Sequence, residues 1–177
     1  MSIDELILDR VRRGMLWPLR IRAPGVTANR AMFLGEALHD VLQSPEGDEE
    51  WEQRVGELQA DLESFVVGDE PIDPKYLFLL YPARDAVWEI RSVRVDPSIR
   101  VLGLFAKRDV FIATNYALRS ELGGWQSRQW KLVKRAAGAI WRHIFDNYRP
   151  RRELRIHDLV SNAHSGKYFK DEPGVRP

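Results

Sequence analysis

The side chains best able to do chemistry in this chain are arginines. Arg91, Arg94, Arg100 and Arg119 lie close together in sequence, with Lys107 and Arg108 between the last two. Guanidinium groups grip phosphate through paired hydrogen bonds and stabilise charge that develops on a phosphoryl group. The segment that carries them has an apolar period of two. Residues 87–95, 99–106 and 110–118 read as three strands, with Asp96-Pro97-Ser98 and Lys107-Arg108-Asp109 as turns, which predicts an antiparallel meander. In a meander the first and third strands both flank the central one. Arg91, which shares a strand face with Val93, Arg100 at a strand start and Arg119 just past a strand end can therefore converge on one concave surface. The plainer alternative is that these arginines are solvated at strand ends and pair with Glu89, Asp96 and Glu121.

Other reactive groups are sparse. The absence of cysteine excludes a thiol nucleophile, a disulfide framework and a thiolate zinc site. His39, His143, His157 and His164 are scattered, and His157 and His164 have neither helical i,i+4 spacing nor a third ligand. Asp48, Glu49, Glu50 and Glu52 crowd the start of a helix, where the dipole favours negative charge, so they read as a solvated helix start. No metal and no cofactor is expected. A second basic set, Arg128, Lys131, Arg135 and Arg142, shares one face of a helix over residues 126–148 and could contact nucleic-acid phosphates. It could equally be a solvated face opposite an apolar stripe, in which Trp125, Trp130 and Trp141 serve packing.

The elements that would position these residues can be read by periodicity. Residues 2–13 form a short helix with Ser2 as N-cap and Glu5 completing a capping box. Residues 16–21 read as a strand that Pro18 confines to an edge. Thr27 or Asn29 can cap a helix running to about Gln43, with Leu34, Leu38, Val41 and Leu42 on one face. Trp51, Val55, Leu58, Leu62 and Phe65 give a second helix over residues 48–65. Residues 153–160 read as one more strand, and the Gly-, Pro- and charge-rich residues 161–177 as a flexible, frayed tail. The expected architecture is a single α+β domain over residues 1–160, with helices packed on a curved antiparallel sheet followed by a long helix.

Length and composition agree with that architecture. A chain of 177 residues that is 44% hydrophobic and 30% charged fits one globular domain. The longest uncharged apolar stretch, residues 76–83, is far below the roughly 20 residues of a membrane helix. The N-terminal residues mix charge into their apolar positions and do not read as a secretory signal, so a cytoplasmic protein without membrane association is expected. The net charge of +1 hides a division. Residues 1–74 carry 7 basic and 16 acidic side chains, and residues 75–177 carry 20 basic and 10 acidic. Such asymmetry suggests a polyanionic partner for the basic half, unless the two halves neutralise each other.

Two helices followed by the meander resemble the RelE/HigB family of bacterial toxins, the toxin halves of toxin–antitoxin systems. The residues that carry the resemblance are Trp88, Ile90 and Arg91, then Arg100, then Lys107-Arg108-Asp109, then Phe111 and Arg119. The match is best over residues 87–122 and extends loosely back to residue 28, leaving residues 123–160 as a helical C-terminal extension. The resemblance implies a RelE-like α+β fold and an endoribonuclease (mRNA interferase), a hydrolase that cleaves ribosome-associated mRNA by metal-independent attack of the ribose 2′-hydroxyl. It implies a cognate antitoxin, the ribosome and mRNA as partners. Arg91, Arg100 and Arg119 match the family's catalytic basic positions, with Arg94, Lys107, Arg108, Arg128, Lys131 and Arg135 as RNA-binding candidates. His157 or Tyr168 would serve proton transfer, as a C-terminal histidine or tyrosine does in family members. Glu89 stands where some members have a second basic residue, and it would repel phosphate. The alternative on the same scaffold is a non-catalytic nucleic-acid-binding protein or a phage-derived interaction protein.

Overall fold

The computed structural model describes residues 1–92 and 96–170. Helix α1 (Ile3–Arg12) begins at the expected capping box: Ser2 Oγ accepts from the Glu5 amide, and Glu5 accepts from the Ser2 amide. Strand β1 (Trp17–Pro18) sits at a sheet edge, the one place where proline costs no ladder hydrogen bond. Helix α3 (Glu49–Val67) starts where Asp48 accepts from the Trp51 amide, and it ends at Gly68 in the left-handed conformation. The expected meander forms strands β4 (Trp88–Arg91), β5 (Ile99–Lys107) and β6 (Val110–Leu118), paired antiparallel in that order. Residues 93–95 of the first predicted strand, Arg94 included, lie outside the described residues.

Three expectations are corrected. The predicted helix over residues 28–43 is instead strand β2 (Ala31–Leu34) followed by helix α2 (Glu36–Gln43). Leu34 and Leu38 do have helical spacing, but Ala31–Leu34 lies parallel along β6, and the sheet backbone decides its conformation. The sheet is therefore mixed, six strands in the order β1-β2-β6-β5-β4-β3, with β3 (Leu77–Leu79) on the far edge. Residues 153–160 form no strand; a 3-10 turn at Ile156–Asp158 lays Ile156, Leu159 and Val160 into the core. The tail to residue 170 is docked: the Leu79 amide donates to the Tyr168 carbonyl at 2.7 Å, and Tyr168 and Phe169 are buried. Two buried aromatic rings outweigh the loop-like composition around them. Residues 171–177 lie outside the described residues.

Helix α4 (Arg128–Phe145), capped by Ser127, is the expected long helix. It packs with α1 on one face of the sheet, against Leu102, Leu104 and Ala106. Helices α2 and α3 pack on the other face, against Ile99, Val101 and Phe105. Alternation along β5 thus feeds two cores. It also answers the charge question: acidic α3 and basic α4 lie on opposite sides of the sheet, so they do not neutralise each other. Among the described residues no helix is long and apolar enough to cross a membrane.

Gly103 marks a register shift between β5 and β6. A Cβ there would meet the Ile112 carbonyl oxygen at 2.2 Å and the Phe111 ring at 2.5 Å. Because both neighbours are buried, Gly103→Ala is expected to cost about 1–3 kcal/mol of stability, read as a lower urea midpoint.

Candidate functional site

Strand parity sets which side chains meet. Trp88 and Ile90 of β4 point into the α2/α3 core, so Glu89 and Arg91 point to the α4 side. Arg91 is directly opposite Arg100, and Phe78 of β3 is opposite Glu89. Arg119 opens a 3-10 turn past the end of β6, tied back by its amide donating to the Ser98 carbonyl at 2.8 Å. Arg91, Arg100 and Arg119 line one cavity of about 320 Å³. The convergence expected from the meander is what the structure contains.

The sequence set Glu89 in the site only as a repulsive charge and did not show the remaining walls. Phe78, Tyr81, Trp125 and Trp130 supply aromatic surface, and Lys134 and Lys170 add two cations. The Arg91 guanidinium lies 4.5 Å from the Phe78 ring centroid, and Lys170 Nζ lies 4.1 Å from that of Trp125. Trp125 is 47% exposed and meets Tyr81 edge-on, so these two rings form a rim rather than a core. Alternation with Arg91 was the available signal for Glu89, since residues two apart in a strand share a face.

Glu89 is buried and organises the cations. Arg91 Nε donates to Glu89 Oε1 at 2.6 Å, and Arg91 Nη2 lies at 2.6 Å from the same oxygen. Arg100 Nε is 4.0 Å from Glu89 Oε2, too far for a hydrogen bond. Arg119 donates to the Gly123 carbonyl at 2.9 Å. Of the seven buried side-chain polar atoms without a hydrogen-bond partner among the described residues, four belong to residues that line this cavity: Glu89 Oε2, Arg100 Nε, Arg100 Nη1 and Trp130 Nε1. Burial holds the Arg100 guanidinium below its ordinary pKa. Glu89 opposes that shift, and the neighbouring charges of Arg91 and Arg119 add to it. An unpartnered buried polar atom costs about 1–3 kcal/mol, and a charged one more.

Other candidates lie elsewhere. Lys107 is about 23 Å of extended strand away from Arg100, and its Nζ is 2.7 Å from Asp4 Oδ1. Arg108 Nε donates to the His157 carbonyl at 3.0 Å, and His157 itself is exposed in the Ile156–Asp158 turn. Tyr168 is buried, with its hydroxyl 2.7 Å from the Ile72 carbonyl and 2.8 Å from the His164 carbonyl. Its one proton is committed to the fold. None of these four residues lines the cavity, and neither does Arg128, exposed at the start of α4. Lys131 and Arg135 line a second, larger hollow along α4. No family model, no curated protein and no solved structure matches the chain.

Proposed function

We propose that this cavity binds an RNA phosphodiester and that the chain is an endoribonuclease, cutting ribosome-associated mRNA in the cytoplasm as the RelE/HigB-like toxins do. The observation that carries the reading is the convergence of Arg91, Arg100 and Arg119 on one cavity, whose lining residues Arg100, Trp130 and Glu89 also carry buried polar atoms without a hydrogen-bond partner. A phosphodiester next to its own ribose hydroxyl is the complement of those groups. Non-bridging oxygens accept from Arg100 and Trp130, and the 2′-hydroxyl donates to Glu89 Oε2. Glu89 then takes the hydroxyl proton as the 2′-oxygen attacks phosphorus. The bond to the 5′-oxygen breaks, leaving a 2′,3′-cyclic phosphate, and the departing oxygen is protonated by water at the cavity mouth. Arg100 and Arg119 stabilise the charge that builds on phosphorus. Arg91 fixes the position of the Glu89 carboxylate through Oε1. The exposed face of Trp125 gives a neighbouring base a surface to stack on. A cognate antitoxin would silence the enzyme by covering the cavity.

One observation favours a second reading. Arg91 commits two of its nitrogens to Glu89, which withdraws it from any phosphate. On that reading the protein binds nucleic acid without cutting it. Expression of the wild-type chain alone decides between the two. The nuclease should arrest growth and cut transcripts in a translating extract. Harmless expression with intact transcripts removes the enzyme, and oligonucleotide binding that weakens steeply with salt then identifies the binding module.

A further inference from the structure

The second hollow, about 880 Å³ in volume, runs beside the first between α4, the Tyr81–Val87 segment and residues 146–152. The two are adjacent: they share Tyr81 and Lys134 in their linings, and Lys134 Nζ donates to the Tyr81 carbonyl. Six exposed cations line the second hollow: Arg84, Lys131, Arg135, Arg142, Arg149 and Arg152. Among the described residues none of the six has an ion-pair or side-chain hydrogen-bond partner. Elsewhere among the described residues Arg13, Arg22, Arg54, Lys107 and Arg151 are paired with acids, whereas exposed Arg12, Arg20, Lys75, Arg128 and Arg155 are not, so it is the clustering of six such cations in one hollow that distinguishes it. Asp85 and Asp146 also line the hollow and leave it strongly positive. Unpaired like charges held along one groove repel one another, and a polyanion laid along it relieves the repulsion.

We propose that this groove is the track for the single-stranded RNA that flanks the phosphodiester in the cavity. The inference rests on the reading of the cavity as a phosphodiester site, and adjacency at Tyr81 and Lys134 is what selects the flanking strand as occupant. Each backbone phosphate entering the groove meets a cation on α4 or on the opposing Arg84 and residue 149–152 wall. No base needs to be read, so the track is tolerant of sequence.

The test compares the affinities of the full chain for fluorescein-labelled, 2′-O-methyl oligouridylates of four and twelve nucleotides across a salt series. The short probe fills the cavity alone, and the long one reaches the groove. The wild-type protein should bind the twelve-mer at least about 10-fold more tightly than the four-mer. Lys131→Glu/Arg135→Glu/Arg142→Glu should bring that ratio close to one. The neutral triple variant Lys131→Gln/Arg135→Gln/Arg142→Gln should lower the salt slope for the twelve-mer by about 2, and it keeps the test open if charge reversal disturbs folding. Arg100→Ala should weaken both probes by the same factor. If it weakens neither, the cavity reading fails, and the length ratio still judges the groove. A ratio unchanged by both triple variants overturns the proposal. So does a twelve-base-pair RNA duplex, or a twelve-residue polyglutamate, that displaces the long probe as well as unlabelled single strand does.

Discussion

Arg100→Ala is expected to reduce RNA cleavage by about 10²–10³-fold, the usual effect of removing a donor aimed at developing charge. Arg100 is the strongest candidate for this role because two of its guanidinium nitrogens are buried and unpartnered in the cavity. Arg91 is held by Glu89, and Arg119 is tied to a carbonyl, so each has less to give. The same substitution should cost less stability than Glu89→Gln, because it removes a charge that burial disfavours along with a partner of Glu89. Burial and two neighbouring cations lower the folded-state pKa of Arg100. A base whose pKa is lowered by folding binds its proton more weakly in the native state. Its charged form therefore opposes folding throughout the pH range in which the unfolded chain keeps the proton, neutral pH included. Removing it relieves that opposition, the pattern expected of a residue kept for function at a cost in stability. Arg100→Met retains the aliphatic volume and separates lost charge from lost packing. Primer extension on transcripts from a translating extract gives the rate, and urea unfolding gives the stability. Normal cleavage by a folded Arg100→Ala protein would place the reaction outside this cavity.

The arginine convergence was legible because it depends on local rules. Strand order alone brings Arg91, Arg100 and Arg119 to one part of the sheet, but a turn at Asp96-Pro97-Ser98 would set Arg94 opposite Arg100, and the observed pairing of Arg91 with Arg100 was not legible. The cap at Ser2 was legible by local rules, since donor and acceptor are three residues apart, whereas Asp48, read as part of the helix's acidic first turn, is in fact its cap. What was not legible depends on distant chain. Ala31–Leu34 is a strand only because β6, some eighty residues later, offers its free edge. The C-terminal residues look like a tail until β3 and the Ile72 backbone give Tyr168 a place to dock. Trp125 and Trp130 share α4 and its approach, yet one is an exposed rim of the cavity and the other is buried in its wall, a distinction that helical periodicity alone does not carry. Glu89 was read as a repulsive intruder because its charge was considered without its burial. Set among five cations, it is the one carboxylate in the cavity lining.

That change of role makes Glu89→Gln the most discriminating substitution. If Glu89 is the base, cleavage falls by about 10²–10⁴-fold, because the amide cannot take the 2′-hydroxyl proton. Binding should move the other way. The cavity keeps all five cations and loses its only negative charge, so a 2′-O-methyl oligonucleotide, which cannot be cut, should bind several-fold more tightly. The fold bears a cost. Arg91 and Arg100 lose the carboxylate between them, and removing one partner of a buried charged cluster costs up to about 3–5 kcal/mol. Inorganic sulfate should restore part of that loss by occupying the vacated field, with a urea midpoint that rises with sulfate more steeply than in wild type. General misfolding would weaken binding and cleavage together, whereas a lost base gives tighter binding without chemistry. Unchanged cleavage with tighter binding would leave Glu89 as a counter-charge alone, and the non-cutting module would then be the better account of the same arginines.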